Sequence, residues 1–230
     1  MISHKHKCIF IHIAKCAGTS IEHAFGVDVE NYNTKETNFL FGWDDTNKLY
    51  LQHATPQQLI DLKYITDDIW NTYYKFIVYR NSWDRAYSDY IWIQNEKNVN
   101  DTFGNFLNKE GRFKKILTDN STSLYAGDHL YLQKDYFFLN GKEITYNTII
   151  DFKNLNIGLN KVAQDLKLSN NFFSIHLNQS KTNRKSHYSK FYNFRTKRLV
   201  LKKYKADIKY FNFEFDDKRN FLDKLKSFFI

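Results

Sequence analysis

The chain has 230 residues, a hydrophobic content of 42% and a formal net charge of +9. No linker, repeat or low-complexity block divides it, and one α/β core suits this length, so we expect a single domain over 1–230. The two cysteines exclude a disulfide framework and suit a reducing compartment. No segment of about 15–20 apolar residues occurs, so we expect no signal peptide or membrane span and a cytoplasmic location.

The first predicted strand, over 7–13, runs into a short turn and a predicted helix over 19–25. Six residues make up the turn and the start of the helix: Lys15, Cys16, Ala17, Gly18, Thr19 and Ser20. The first N–H groups of a helix have no intrahelical partner and lie at the positive end of its dipole, so this arrangement favours an anion. Lys15 adds a charge, the hydroxyls add donors, and the small residues let the backbone approach a ligand closely. The sequence therefore predicts a site for a phosphate-like group, carried by a nucleotide.

A short strand over 48–52 and a helix over 56–63 are predicted next. The T-P-Q-Q sequence at 55–58 has the pattern of a capping box with proline at the first helical position. His53 lies between the two elements, where the strand ends. We therefore expect His53 at the ligand-binding edge of the sheet.

The next predicted strand, over 74–80, ends in Arg80, and a predicted helix over 83–97 follows. An arginine at the carboxyl end of a strand suits a second anion better than a metal ion. Ser88, on the helix, adds a hydroxyl to this second site.

A nucleotide kinase with a Walker-type loop would have a different pattern. It places Lys directly before the hydroxyl residue and a magnesium-holding carboxylate at the end of a following strand. Here Lys15 precedes Thr19 by four positions, and the strand ends in Arg80. Kinase-like phosphoryl transfer is therefore an alternative that these residues disfavour.

The remaining predicted elements are a strand over 145–151 and helices over 101–109, 156–167, 196–206 and 217–228. Strands that alternate with helices imply a parallel sheet covered by helices. We therefore expect an α/β fold that is P-loop-like, with three α/β/α layers and a central parallel sheet of about 4–5 strands. Ligands bind such sheets at the carboxyl ends of the strands, where both anion sites lie.

Two segments resemble the donor-binding motifs of sulfotransferases that use 3′-phosphoadenosine-5′-phosphosulfate (PAPS). Residues 11–20, I-H-I-A-K-C-A-G-T-S, resemble the 5′-phosphosulfate loop I-P-K-x-G-G-T-S. Residues 76–90, F-I-V-Y-R-N-S-W-D-R-A-Y-S-D-Y, resemble the 3′-phosphate strand and helix V-x-R-N-P-x-D-R-x-x-S-x-Y. Segments within 144–168 and 176–211 resemble the Golgi-type carbohydrate sulfotransferases of the heparan sulfate 2-O and chondroitin types. The likeness therefore covers nearly the whole chain in order.

The departures from these motifs are few. Four of them keep the size or the capping ability of the residue they replace; they are Ala14, Cys16, Ala17 and Ser82. Lys153 stands where the family has Glu, and we assign it no function.

The resemblance implies a sulfotransferase that moves a sulfuryl group from PAPS, its co-substrate, to a hydroxyl of an acceptor, a sugar or glycan, without a metal. It implies that the six loop residues, together with Arg80 and Ser88, bind the nucleotide. Arg184 and Lys185, in a basic segment, would fold over that nucleotide. Lys15 would stabilise the charge on the leaving group.

The resemblance also favours a catalytic base. His53 resembles the histidine that serves as base in the 2-O-type enzymes, and histidine titrates near neutral pH. Glu22 is the alternative base, since other branches of the family use Glu. His12 points from an apolar strand and suits a core histidine, while His129 and His176 remain acceptor-side contacts.

Two further patterns favour structural interpretations. A nucleophilic Cys16 is disfavoured because sulfuryl transfer needs no covalent intermediate. Three aromatic residues share one face of the helix after Arg80; they are Trp83, Tyr87 and Tyr90. Such a face is more often part of a core than of a ligand pocket, and stacking on a sugar or base ring is the alternative.

The charge is concentrated near the C-terminus. Residues 181–230 hold 15 Lys/Arg against 5 Asp/Glu, whereas the first 180 residues hold 19 against 20. Such a segment suits nucleic acid, a membrane surface or the rim of a site for anions, and a solvated face is the plain alternative. No nucleic-acid-binding motif accompanies the charge, so we expect no nucleic-acid partner, and a non-catalytic basic binding protein is the remaining alternative.

Overall fold

A computed structural model describes residues 1–174, 186–221 and 224. The strands are β1 (Ile2–Ser3), β2 (Cys8–Ile11), β3 (Trp43–Asp44), β4 (Leu49–Tyr50), β5 (Tyr74–Tyr79), β6 (Phe138–Leu139), β7 (Lys142–Glu143) and β8 (Thr148–Asp151). The helices are α1 (Gly18–Ala24), α2 (Pro56–Asp61), α3 (Asp67–Thr72), α4 (Ser82–Glu96), α5 (Phe103–Asn108), α6 (Lys114–Thr118), α7 (Leu155–Asp165), α8 (Phe194–Lys203) and α9 (Lys205–Tyr210).

The central sheet has four strands in the order β1-β2-β5-β8. β2, β5 and β8 run parallel, with Phe10 opposite Phe76 and Ile77 opposite Ile149, and β1 is an antiparallel edge strand. All of β2 and the centre of β5 are buried, which explains their continuous apolar sequences. The sheet with its helices has the predicted three-layer α/β/α architecture. The antiparallel edge strand β1 departs from the predicted all-parallel arrangement.

The predicted strand over 48–52 was wrong in its partner and its length. Only β4 is extended there, and it pairs with β3 in a separate antiparallel hairpin. Residues Leu51–His53 form a 3₁₀ turn. His53 therefore reaches the ligand edge from a turn beside the sheet and not from a strand of it.

The helix predictions agree with the structure within a few residues, with four exceptions. Helices α3 and α6 were missed. The helix predicted over 196–206 is two helices, α8 and α9, divided at Tyr204. In the helix predicted over 217–228, residues 217–220 are not helical, and most of the remainder lies outside the described residues. The capping box of α2 is confirmed, because Thr55 and Gln58 exchange both hydrogen bonds.

The buried apolar residues form two clusters. The larger is built on β2 and β5, and the second packs α4 against α5 and α8. Trp83 belongs to the second cluster, and Tyr87 and Tyr90 pack on it, which confirms the core interpretation of that aromatic face. Of the helices within the described ranges, none combines the length and the apolar character that crossing a membrane requires.

Candidate functional site

The loop between β2 and α1 has an unusual backbone. Lys15 and Ala17 both have positive φ values, 64° and 66°, although neither is glycine. Non-glycine residues with positive φ store local strain. Where left-handed residues alternate with other conformations, successive backbone N–H groups can form a concave nest that binds an anion. Ala17 is also the N-cap of α1 and has no side-chain capping bond. The loop therefore has the backbone of an anion site.

Two buried arginines hold the carbonyl oxygens of this loop. Arg80 Nη1 donates to the Lys15 carbonyl at 2.8 Å, and Arg85 Nε donates to the Ala14 carbonyl at 3.3 Å. Because these carbonyls face protein donors, the loop does not turn them toward an anionic ligand. The two predicted anion sites, one at Lys15 and one at Arg80, are thus in direct contact.

Several contacts hold the backbone and the side chain of Arg80 in place. Its Nε donates to Asp84 at 2.7 Å, and its backbone N–H and carbonyl both bond to the Gln133 carboxamide, at 2.9 and 2.8 Å. Its guanidinium stacks on Phe152, 4.2 Å from the ring centre. Ser88 lies half-buried on α4, one turn after Asp84 on the same helix face.

A cleft of about 510 Å³ opens beside this arginine. It is lined by Arg80, Asn81, Asp84, Asp151, Phe152, Lys153, Ser186, His187, Tyr188 and Asp216. Lys153, to which we assigned no function, is thus at its wall. Arg184, Lys185 and His176 lie outside the described residues.

Cys16 faces the protein interior. It is fully buried, and its Sγ lies within weak hydrogen-bond distance of the Ala14 carbonyl, at 3.7 Å, and Gln133 Oε1, at 3.9 Å. Burial raises the pKa of the Cys16 thiol to about 12, so it is not a thiolate at neutral pH. In this loop Cys16 can offer a ligand only its backbone.

Gly18 has a packing role that the sequence did not reveal. A Cβ on Gly18 would lie 1.8 Å from Nε2 of His12, so the imidazole occupies the space of the missing side chain. His12 is 5% exposed and bonds through Nδ1 to Glu22 at 3.0 Å. His12 is therefore a satisfied buried histidine, as predicted. Because Glu22 is held by His12, it is poorly placed to act as a base.

His53 pairs with a buried carboxylate. Its Nδ1 lies 2.6 Å from Asp128 Oδ2, and its backbone carbonyl accepts a hydrogen bond from Tyr136 at 2.8 Å. Burial alone would raise the pKa of Asp128, but the neighbouring His53 and His129 imidazoles outweigh it, so that pKa is lowered. An ionised Asp128 keeps the His53 proton on Nδ1, which leaves Nε2 as an acceptor.

Three imidazoles stand in a row beneath the loop. The His53 ring is 4.7 Å from that of His12 and 4.9 Å from that of His129. His129 stacks flat on Trp92, with ring centres 4.7 Å apart, and the Lys15 ammonium lies over the same indole at 4.9 Å. Lys15 and His53 are thus connected by successive contacts through the rings of Trp92 and His129.

His53, Asp128 and His129 also bring potential ligand atoms within 4.8 Å of one another, and they are the only such group found among the described residues. Both imidazoles are already bonded through Nδ1 to carboxylates, His53 to Asp128 and His129 to Asp89. We therefore interpret the group as two acid–base pairs.

Sequence reasoning missed four residues that shape this site: Asp89, Trp92, Asp128 and Gln133. Asp128 meets His53 across 75 positions of the chain, and Gln133 meets Arg80 across 53. Neither lies in a periodic element, so a single sequence held no signal for the pairing. Asp89 and Trp92 lie within a predicted helix, where their contacts with His129 could not be seen.

The comparison with protein families gives a match along most of the chain. The model of the Sulfotransferase family matches residues 1–214. Neither a curated protein nor a solved structure matches the chain. This match agrees with the loop after β2 and with Arg80, which directly follows β5. The chain belongs to the sulfotransferase family.

Proposed function

We propose that this sulfotransferase takes its sulfuryl group from PAPS and transfers it to a hydroxyl of a sugar or glycan, by in-line displacement without a metal. The observation that carries the proposal is the 2.8 Å hydrogen bond from Arg80 to the Lys15 carbonyl. It brings together two anion sites, and a nucleotide with phosphates at both its 5′ and 3′ positions has one group for each.

The donor would lie across the two sites. Its 5′-phosphosulfate would occupy the loop, contacting Lys15, backbone N–H groups and the hydroxyls of Thr19 and Ser20. Its 3′-phosphate would meet Arg80 and Ser88. The adjoining cleft of about 510 Å³ has room for the nucleoside, and Arg184 and Lys185 would close over it.

The chemistry needs three actions from the protein. His53 Nε2 takes the proton from the acceptor hydroxyl as its oxygen attacks sulfur. The bond between sulfur and the bridging oxygen breaks, and the electron pair leaves with the 5′-phosphate of 3′-phosphoadenosine-5′-phosphate (PAP). Lys15 neutralises the charge that develops on that oxygen. The products are the sulfate ester, PAP and a proton held by His53.

Aromatic side chains pack beside His53. Tyr50 lies 6.4 Å from the His53 ring and packs edge-on against Trp43 at 5.1 Å, with Tyr32 next to it at 6.4 Å. Tyr50 and Trp43 are both buried, and the Tyr50 hydroxyl donates to the Ser123 carbonyl, so these rings support the turn that carries His53. The sugar or glycan acceptor is supported by the resemblance of the sequence to carbohydrate sulfotransferases.

Calorimetric titration with PAP and, separately, with ATP and magnesium tests the donor. We expect PAP to bind and ATP with magnesium to bind far more weakly. Tight binding of ATP with magnesium, and none of PAP, would overturn the proposal in favour of a kinase. Strong, salt-sensitive nucleic-acid binding by a protein that carries both Lys15→Ala and Arg80→Ala would favour a non-catalytic basic protein instead.

A further inference from the structure

Arg80 lies just beyond the paired part of its strand. β5 pairs with β2 as far as Ile77 and with β8 as far as Tyr79. The next residue, Arg80, is buried, so its backbone N–H and carbonyl need partners from outside the sheet ladder. The residue that supplies these partners decides how Arg80 leaves the sheet edge.

A single side chain supplies both partners. Gln133 Oε1 accepts a hydrogen bond from the Arg80 N–H at 2.9 Å, and Gln133 Nε2 donates one to the Arg80 carbonyl at 2.8 Å. Because the N–H needs an oxygen and the carbonyl needs a donor, the two bonds fix the orientation of the carboxamide. Gln133 is fully buried, and the proposed reaction leaves it without a role.

The two bonds to Arg80 fix the direction of its side chain. Its N–H and its carbonyl belong to the two planar peptide units on either side of its Cα. Holding both units fixes φ and ψ of Arg80, and with them the direction in which the side chain leaves the backbone. Gln133 therefore acts at the base of this side chain, whereas Asp84 and Phe152 contact the guanidinium at its end.

Gln133 is itself held by a buried carboxylate. Asp207, on α9, accepts the backbone N–H of Gln133 through Oδ2 and that of Lys134 through Oδ1, both at 2.9 Å. These are the first two N–H groups of a 3₁₀ turn, Gln133–Phe137, where side-chain acceptors commonly replace backbone partners. Asp207 belongs to the segment within 176–211 that resembles the carbohydrate sulfotransferases.

A continuous series of hydrogen bonds thus runs from α9 to the loop after β2. Asp207 holds Gln133, and Gln133 holds Arg80. The Arg80 guanidinium in turn donates to the Lys15 carbonyl at 2.8 Å. Gln133 Oε1 also lies 3.9 Å from Sγ of Cys16, the next residue of the loop. Gln133 therefore contacts both parts of the proposed donor site from the protein interior.

We propose that Gln133, anchored by Asp207, is a positioning residue of the donor site. Its carboxamide holds the backbone of Arg80 so that the guanidinium reaches the Lys15 carbonyl and a phosphate of the donor at the same time. This role rests on the proposed function. Because Gln133 is fully buried, it acts through Arg80 and not by touching the nucleotide.

Nuclear magnetic resonance of the ²H,¹³C,¹⁵N-labelled full chain without ligand tests the contact itself. Scalar couplings across hydrogen bonds should connect the Arg80 amide nitrogen with Cδ of Gln133, and Nε2 of Gln133 with the Arg80 carbonyl carbon. The backbone hydrogen bonds between β2 and β5 provide the internal reference in the same spectra. Couplings between these strands, with none between Arg80 and Gln133, would overturn the proposal.

A double-mutant cycle tests the role in donor binding. Gln133→Met keeps the length of the side chain, removes both hydrogen bonds and should weaken PAP binding by about 3–10-fold. In the Arg80→Ala background the same change should have no further effect, because the guanidinium that Gln133 positions is absent. Gln164→Met, at an exposed glutamine of α7, is the matched control and should bind PAP like the wild type. An equal loss of PAP affinity in both backgrounds would overturn the positioning role.

Turnover separates positioning from a general loss of structure. In Gln133→Met the KM for PAPS should rise while kcat stays close to wild type, because a displaced Arg80 weakens donor binding equally in the ground and transition states. A lower kcat at unchanged KM would overturn the role. The coupling measurement needs no variant, so it decides the contact even if Gln133→Met does not fold. If PAP fails to bind the wild-type protein, the proposed function fails, while the couplings still decide whether Gln133 holds Arg80.

Discussion

Arg80 and Lys15, 65 positions apart in the chain, are joined by a hydrogen bond from the guanidinium of the first to the backbone carbonyl of the second. The same guanidinium is bonded to Asp84 and stacked on Phe152. One side chain thus positions the loop and the neighbouring cleft together. Loss of Arg80 is expected to affect both halves of the proposed donor site.

Arg80→Ala should weaken PAP binding by about 10–100-fold, because it removes a cation and releases the loop carbonyl. Arg80→Lys should recover little of that loss, since an ammonium cannot reproduce the planar fork that reaches Asp84 and Lys15 together. Calorimetry with PAP measures both. Arg112→Ala, at an exposed arginine, is the matched control. Wild-type affinity in Arg80→Ala would contradict the assignment of Arg80 to the donor site.

Lys15→Ala should lower kcat by about 10²–10³-fold, because the leaving oxygen loses its cation in the transition state. The fold should persist, since the hydrogen bond from Arg80 is accepted by the Lys15 backbone carbonyl, which alanine keeps. Steady-state turnover with PAPS, beside circular dichroism, measures the two effects. Lys5→Ala, at an exposed lysine near the same sheet, controls for charge. Unchanged turnover would remove Lys15 from the leaving-group role.

His53→Ala should lower kcat by about 10²–10⁴-fold while PAP affinity stays close to wild type, because a base acts on the acceptor and not on the donor. Asp128→Asn should also depress kcat, since an amide no longer holds the His53 proton on Nδ1. Turnover and PAP titration on the same preparations separate the two quantities. Parallel losses in kcat and PAP affinity would indicate a structural role for His53.

Asp44→Asn should destabilise the protein by about 1–3 kcal/mol at pH 7. Burial opposes the charge of Asp44, but hydrogen bonds from Tyr64, Asn47 and Lys35 outweigh it and lower its pKa to about 2. Because the folded pKa lies below the ordinary value, the ionised carboxylate contributes stability above about pH 4, and that contribution is lost as the pH falls toward 2. Urea unfolding at pH 7, 4 and 3 measures the difference between wild type and Asp44→Asn, which should shrink on acidification.

Asp45→Asn is the control for this series, because the Asp45 side chain is 78% exposed and its pair with Lys48 lies on the surface. Surface pairs of this kind contribute little to stability. A difference between wild type and Asp44→Asn that is the same at all three pH values would contradict the ionised role of Asp44.

The elements that carry a strong local pattern were predictable. β2 and β5 are continuous apolar runs, α2 has its capping box, and α4 begins close to its predicted start. These patterns depend on nearest neighbours along the chain. The fold class follows from their alternation, which is why it was predicted well.

The candidate site was predicted less completely because its decisive pairs are distant in the chain. The sequence proposed the loop, Arg80 and His53 as site residues, but it did not suggest the carboxylates Asp89 and Asp128 that bond to the nearby histidines. The strand before His53 was wrong because β4 finds its partner in β3 rather than in the central sheet. Both failures have one cause. Tertiary packing decides which distant segments meet, and the local patterns of a single sequence do not reveal that pairing.

The imidazole of His12 fills the volume that any side chain at position 18 would need. Positions 12 and 18 are therefore sterically coupled: a large side chain at one position requires glycine at the other. A sulfotransferase of this fold with a small residue at position 12 would not need glycine at position 18. Conversely, Gly18→Ala alone would clash with the His12 imidazole and would disturb the loop even without a bound donor.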